Sequence, residues 1–224
     1  MQGWVIPPGQ SAAFVADMEH VLDYYKRLYD PKVPLVCMDE SPKQLIRETR
    51  RPIAPAPGRL ARHDYEYERC GVCNIFMACE PLAGRRLVEV TERKTKHDWA
   101  HFVETIAGSY AEAEKIILVM DNLNTHHPGS LYETFLPGKA KALWDRFEFV
   151  YTPKHGSWLN MAEIELNVLM RQCLKRRIDD LSVMRREVEA WQTHRNNSGA
   201  KINWQFTTTD ARIRLKRLYP TYDA

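Results

Sequence analysis

Asp39, Asp121 and Glu163 are the residues through which this chain could do chemistry. Asp39 follows the apolar run Pro34-Leu-Val-Cys-Met38, and Asp121 follows Ile116-Ile-Leu-Val-Met120, so each stands where a buried strand is expected to end. Glu163 lies near the start of a helix-like segment that runs from Leu159 to Cys173. Carboxylates drawn from two strands and one helix can hold two divalent ions roughly 3.5–4 Å apart, one ion activating a water or a 3′-hydroxyl and the other stabilising the leaving oxygen. Mg2+ suits such a site, and Mn2+ is the alternative, because a hard cation that keeps several waters needs only a few carboxylates. The corresponding reaction is cleavage or transfer of a phosphodiester. Glu40 and Glu165 are close enough in sequence to stand in for Asp39 and Glu163. Each acid also has a purely structural reading: an Asp after a strand is often a turn residue, and Glu163 sits three residues after Asn160, at capping-box spacing.

The surroundings of the acids favour the chemical reading. Asp121 is followed by Asn122, Asn124 and His126, and Glu163 is preceded by the polar turn Lys154-His155-Gly156-Ser157-Trp158 and by Asn160. A helix N-terminus attracts phosphate, an indole can stack on a base, and Lys43 and Lys154 can meet phosphates. Lys43, Asn122, Asn124, His126, Lys154, His155, Trp158 and Asn160 are therefore the candidate DNA contacts. The net charge of +3 is unevenly placed: residues 171–217 hold 12 Lys and Arg against 5 Asp and Glu, a surplus of +7 that leaves −4 for the rest. A polyanionic partner fits a basic flank beside an acidic metal site.

These residues need elements to position them. Helical spacing of Phe14, Met18, Val21, Leu22 and Tyr25 predicts a helix over 11–29, and Trp99, Phe102, Val103 and Ile106 predict another over 98–110. Strands are expected over 35–38, 69–79, 85–91, 115–120 and 148–151, with 69–79 and 85–91 joined as a hairpin. Short helices follow near 130–135 and 138–147, a long one over 160–177, and another over 182–195. The order predicts an α/β fold, a mixed sheet with helices on both faces, whose ligands gather beyond the carboxyl ends of parallel strands. At 224 residues, 44% of them hydrophobic, one full domain is expected. No apolar stretch approaches the roughly 20 residues that span a bilayer, and Met1–Gly9 lacks the pattern of a signal peptide. Five cysteines read as reduced thiols of a cytoplasmic protein. Cys70-Gly-Val-Cys73 lacks the four ligands of a zinc site, and strand alternation sends its two thiols to opposite faces.

Three segments together resemble the transposases of bacterial insertion sequences related to mariner elements, within the DDE endonuclease superfamily. They are Val36–Leu45 around Asp39, Val119–His126 around Asp121, and Tyr151–Glu165 around Glu163; Asp64–Tyr67, Arg195-Asn196 and Trp204-Gln-Phe206 also fit. The resemblance covers nearly the whole chain. It implies an RNase H-like, integrase-type fold with a five-stranded sheet, catalysis and metal binding by Asp39, Asp121 and Glu163, and two ions per site. It prefers Glu163 to Glu165, because Glu163 follows Leu-Asn by two residues. It implies double-stranded DNA as partner, both element ends and a target with TA sites, and a homodimer on that DNA beside the nucleoid, with no small-molecule substrate and no membrane. Between the second and third acids lie 41 residues, more than in animal mariner relatives, with the excess in the helical stretch 129–144. Relatives begin with helix-turn-helix modules, so residues 1–30 are expected to be a helical linker following such a region, 31–205 the catalytic domain and 206–224 a basic tail. A non-catalytic DNA-binding remnant and a stand-alone RNase H-like nuclease are the rival readings.

Overall fold

Five consecutive apolar residues, Ile116–Met120, form β4, and all five are buried, as a strand covered on both faces must be. The computed structural model describes residues 9–62 and 64–221. The sheet has the order β3-β2-β1-β4-β5. Its strands are β1 (Leu35–Glu48), β2 (Tyr67–Glu80), β3 (Arg85–Thr91), β4 and β5 (Phe147–Tyr151). β4 lies parallel to both β1 and β5, whereas β2 is antiparallel to β1 and to β3. The mixed five-stranded sheet is as expected from the sequence.

β1 departs from expectation. Its apolar run stops at Met38, but the strand continues to Glu48, 14 residues in all. Parallel pairing with β4 ends at Cys37↔Val119, while antiparallel pairing with β2 goes on to Glu48↔Tyr67, across a bulge between Gln44 and Ile46. Hydrophobicity therefore marked where β1 leaves its buried neighbour and did not mark its end. Asp39 lies inside the strand, just past the point of departure.

Side-chain alternation gives the sheet two cores. Cys37, Ile75, Met77, Ile117 and Val119 face α1 (Ala12–Tyr25), α5 (Ala162–Gln172), α6 (Leu181–Asn197) and α7 (Thr208–Arg214). Val36, Met38, Phe76, Leu118 and Met120 face α2 (Lys96–Ser109), α3 (Pro128–Thr134) and α4 (Pro137–Arg146). The four residues expected to face inward from α2 are all buried, and Thr95 and Asp98 close its start as a capping box. The extra stretch between the second and third acids is α3 and α4, on the face away from α5.

α5 is shorter than its apolar periodicity suggested. Leu174 and Ile178 stay in the same core after the helix has ended at Gln172. There the backbone is taken over by β1: Lys43 Nζ donates to the Leu174 carbonyl at 2.9 Å, and Ile46 N to that of Ile178 at 2.8 Å. Ahead of α5, a single 3₁₀ turn spans Ser157–Leu159.

The two ends of the described chain belong to the core. Phe14, Met18, Val21 and Leu22 of α1 are buried with Ala211 and Leu218, and Arg212 makes a two-bond ion pair, 2.8 Å each, with Glu19 of α1. The segments expected as linker and tail thus contribute to the same hydrophobic face as α5. The first eight residues, including most of the stretch read for a signal peptide, lie outside the described residues, as do residues 222–224 at the end of the tail. Cys70 and Cys73 were expected on opposite faces, but the bulge at Cys70-Gly71 resets the alternation and both lie against the core that faces α5, Cys73 buried and Cys70 partly exposed; all five cysteines are free thiols.

Candidate active site

Neighbouring acids on β1 point to opposite faces. Asp39 shares the parity of Cys37 and faces the α5 side; Glu40 shares that of Met38 and faces the α2 side. Asp121 is the first residue after β4, and the ladder to β5 reaches its doorstep through the bond from Thr152 N to the Met120 carbonyl at 2.9 Å. Glu163 is the second residue of α5. Asn160 sets the helix against β1: its Nδ2 donates to the Met38 carbonyl at 2.7 Å, and its Oδ1 accepts from Ala162 N at 3.1 Å. The capping-box reading of Glu163 does not hold. The N-cap is Met161, whose side chain caps nothing, the Asn160 side chain takes the Ala162 N–H instead, and the Glu163 carboxylate takes a hydrogen bond from Ser157.

The turn before α5 depends on Gly156. A Cβ there would lie 2.5 Å from Pro153 Cγ and 2.9 Å from its carbonyl oxygen. His155 takes a left-handed backbone, φ 65°, at the same turn, a conformation uncommon outside glycine. Lys154 and His155 are exposed at its tip.

The three acids share one electrostatic neighbourhood. Burial pushes the Asp39 carboxyl up to about 7; the backbone N–H of Glu40, at 2.8 Å, acts against this, and the charges of Glu40, Asp121 and Glu163 add to it. Burial also raises Glu163, Ser157 opposes that rise, and the charge of Asp121 adds to it. Neither Asp39 nor Glu163 has a cation within ion-pair distance among the described residues.

The adjoining acids are compensated. Glu165 is wholly buried and receives Arg86 at 2.7 Å and Arg195 at 2.9 and 3.1 Å. Burial would raise it, but the two guanidinium groups hold it below the ordinary carboxylate range. Arg86 is itself placed by Asn196 of α6, whose amide pairs with both the N–H and the carbonyl of Arg86 at 2.8 and 2.9 Å on edge strand β3. Glu40 lies 3.0 Å from Lys94 and 3.2 Å from His126 Nε2. These cations overcome its burial and lower it. His126 Nδ1 in turn stands 2.6 Å from Asp121 Oδ1. Burial works against the imidazolium, but bonds to Asp121 and Glu40 push His126 up to about 9.

Glu40, Asp121 and His126 are the cluster of metal-ligating types whose ligand atoms fall within 4.8 Å of one another among the described residues. Both ring nitrogens of His126 face carboxylates, Nδ1 through a hydrogen bond to Asp121 and Nε2 through an ion-pair contact with Glu40. Alternation along β1 and the two arginines on Glu165 thus separate Asp39 from Glu40 and Glu163 from Glu165.

The candidate DNA contacts divide by exposure. Asn122, Asn124, Lys154 and His155 are exposed in the loops around the acids. Lys43 is half-buried and committed to the Leu174 carbonyl. Trp158 is half-buried and packs edge-to-face on Phe206, with ring centroids 5.6 Å apart. His126 and Asn160 were expected to face DNA; both are only 1% exposed and are hydrogen-bonded inward, so each positions an element of the site. Sequence reasoning passed over Arg86, Lys94 and Ser157. Only Ser157, in the turn next to Glu163, carried a positional signal.

A mixed sheet with one acid where β1 parts from β4, a second just past the end of β4, and a third on the helix above them is the framework of an RNase H-like phosphodiester enzyme. The model of the DDE superfamily endonuclease family matches residues 34–185, more than half of the chain, and the chain belongs to that family. The Mos1 mariner paired-end complex with Mn has the same fold, with TM-score 0.63 and 14% identity over 99% of this chain and 68% of that one. The corresponding complex with Mg gives 0.63 and 14% over 99% and 67%. The Mos1 strand transfer complex gives 0.57 and 13% over 89% and 62%. The chain therefore spans about two-thirds of the Mos1 chains. No curated protein sequence matches it.

Proposed function

We propose that this endonuclease domain is the catalytic domain of a transposase, which cuts DNA strands at the ends of a mobile element and transfers the freed ends into target DNA at TA sites. The observation that carries the reading is the contrast between neighbouring acids: Asp39 and Glu163 lie in the field of Asp121 with no cation at ion-pair distance among the described residues, while Glu40 and Glu165 beside them each have two, and Asp121 has only the His126 it shares with Glu40. A divalent cation favours the ionised form of nearby carboxylates, so this acid set fits Mg2+ or Mn2+, two ions per site. When bound, the ions activate the attacking oxygen and stabilise the leaving one. The chain's own residues do the rest. Asp39 is held by the Glu40 N–H, Asp121 by His126, and Glu163 by Ser157. Asn122, Asn124, Lys154 and His155 lie where the sugar–phosphate backbone would pass, and such contacts fix register more than sequence. The Mos1 structures are a paired-end complex with left transposon end and a strand transfer complex, which supports element-end DNA as substrate, and the working unit in this reading is a homodimer. No helix of the described residues is long and apolar enough to cross a membrane, and a DNA substrate supports a cytoplasmic protein that works at the nucleoid.

The test uses pre-cut duplex ends, a supercoiled target and Mg2+ or Mn2+. Joined products that disappear with Asp121→Asn support the reading. Cutting of the RNA strand of a hybrid without joining of DNA would make the protein a stand-alone nuclease, and DNA binding without cleavage would make it a non-catalytic remnant.

A further inference from the structure

His126 is held on every side. Its Nδ1 lies 2.6 Å from Asp121 Oδ1, and its Nε2 lies 3.2 Å from Glu40 Oε2. The indole of Trp99 stacks on the ring, with centroids 5.8 Å apart and planes 25° from parallel. Its backbone is fixed as well: its N–H donates to the Leu123 carbonyl at 2.9 Å, and its carbonyl accepts from the Tyr151 hydroxyl at 3.0 Å. Lys94 then anchors the far carboxylate, 3.0 Å from Glu40 Oε1. The result is a chain, Lys94–Glu40–His126–Asp121, that crosses from the α2 face of the sheet to the exit of β4. Its last link occupies Asp121 Oδ1 and leaves Oδ2 open.

We propose that His126 is a positioning residue that restricts Asp121 to metal ligation through a single oxygen and fixes the direction in which that oxygen points. The inference rests on the reading of Asp39, Asp121 and Glu163 as the metal site. A carboxylate on a short side chain beyond a strand end can rotate, and it can offer one oxygen or two to an ion. A 2.6 Å hydrogen bond from a buried, stacked ring removes that freedom. Partners of this kind, behind the ligands themselves, typically change metal affinity 10–100-fold.

Two substitutions separate the two ends of the ring. In His126→Asn the amide nitrogen falls near the place of Nδ1 and keeps the bond to Asp121; in His126→Gln it falls near Nε2 and keeps only the bond to Glu40. Mn2+ binding is measured by calorimetry on both variants and on Asp121→Asn, with thermal denaturation of the metal-free proteins alongside. The expected result is Mn2+ binding within about threefold of wild type for His126→Asn and weaker by about tenfold or more for His126→Gln. A purely structural role predicts the reverse order, because Gln fills the ring's volume better and should melt higher. Equal losses in the two variants, or wild-type affinity in His126→Gln, overturn the proposal. Wild-type Mn2+ binding by Asp121→Asn overturns the underlying metal-site reading instead. If either variant fails to fold, 15N NMR of wild-type His126 decides: Nδ1 keeps its hydrogen on saturation with Mg2+ if it positions Asp121, and loses it if the ring itself binds the ion.

Discussion

Glu163 and Glu165 stand two residues apart on α5, yet their surroundings are opposite. Glu165 points down into the domain, where Arg86 and Arg195 neutralise it, and its carboxyl is held below the ordinary range. Glu163 points toward Asp39 and Asp121, has a single hydroxyl for company, and is raised. The same division runs through β1, where Glu40 has Lys94 and His126 while Asp39 is pushed up to about 7. Burial alone does not distinguish a structural acid from a functional one, since it acts on all four. The presence or absence of a fixed cation does. On the proposed reading, a fold that neutralises two acids and leaves their immediate neighbours without a fixed cation has a site for a mobile one.

The largest test of this contrast is to neutralise the proposed metal set. Asp39→Asn, Asp121→Asn and Glu163→Gln should each lower metal-dependent strand cleavage by about 10³-fold or more, as expected when groups acting as one unit lose a member. Asp39→Asn should not lower the melting temperature of the metal-free protein, because it removes a buried charge under repulsion. A variant that both loses activity and melts well below wild type would place Asp39 among the structural acids.

Neutralising the compensated set should do the opposite. Glu165→Gln leaves Arg86, a fully buried guanidinium, without its countercharge. Removing one partner of a buried ion pair costs about 3–5 kcal/mol, roughly 10 °C in melting temperature for a domain of this size. Saturating Mg2+ should recover none of that loss, and the protein that remains folded should still cleave. Rescue of stability by Mg2+ would mean that Glu165 shares the metal.

The two sets also titrate in opposite directions. Asp39 has an ordinary value of 3.8 and a value of about 7 in the fold, so between those pH values the metal-free native state holds a proton that the unfolded chain has released. Stability must then fall as pH rises through this window. His126 adds to the same trend: its folded value, raised to about 9, gives stability that is complete below 6.5 and lost as pH rises through 9. Glu165 is lowered, so its contribution is present above the ordinary carboxylate value and lost only as pH falls below it. An ion at the site must displace the Asp39 proton, so Mg2+ affinity should rise about tenfold per pH unit up to roughly 7 and then level off. Melting curves in EDTA and in Mg2+ across pH 5–8 measure both slopes; an affinity flat across that range would remove Asp39 from the metal set.

Much of the scaffold was legible because its signals are local. The four inward residues of α2 repeat at helical spacing, and β4 is a short apolar run buried on both faces. The apolar run of β1 ends ten residues before the strand does because apolar character reports coverage on both faces, and β1 keeps its β2 partner after it has lost β4. α5 was read too long because Leu174 and Ile178 remain buried after the helical hydrogen bonds have ended. At the site, the strand exits pointed to Asp39 and Asp121, but nothing in the sequence places a loop histidine back onto an acid five residues earlier. That return depends on the turn from Leu123 to His126 and on Trp99 beneath the ring. Arg86 was equally hidden: an arginine in a strand reads as solvated until a partner from α5 is seen to cover it.

Lys94 gives the smallest expected effect and the sharpest limit on the comparison. It neutralises Glu40 as Arg86 neutralises Glu165, but 43% of its side chain is exposed, whereas that of Arg86 is fully buried. Glu40 also keeps His126 when Lys94 is gone. An ion pair open to solvent is typically worth 0–1 kcal/mol and is screened by salt. Lys94→Met should therefore cost less than about 1 kcal/mol in urea denaturation and should leave Mn2+ affinity near that of wild type. The cost should shrink further at 0.5 M NaCl, whereas that of Glu165→Gln should not. A loss as large as that of Glu165→Gln would mean that His126 does not neutralise Glu40, and that the chain reaching Asp121 is anchored from its exposed end.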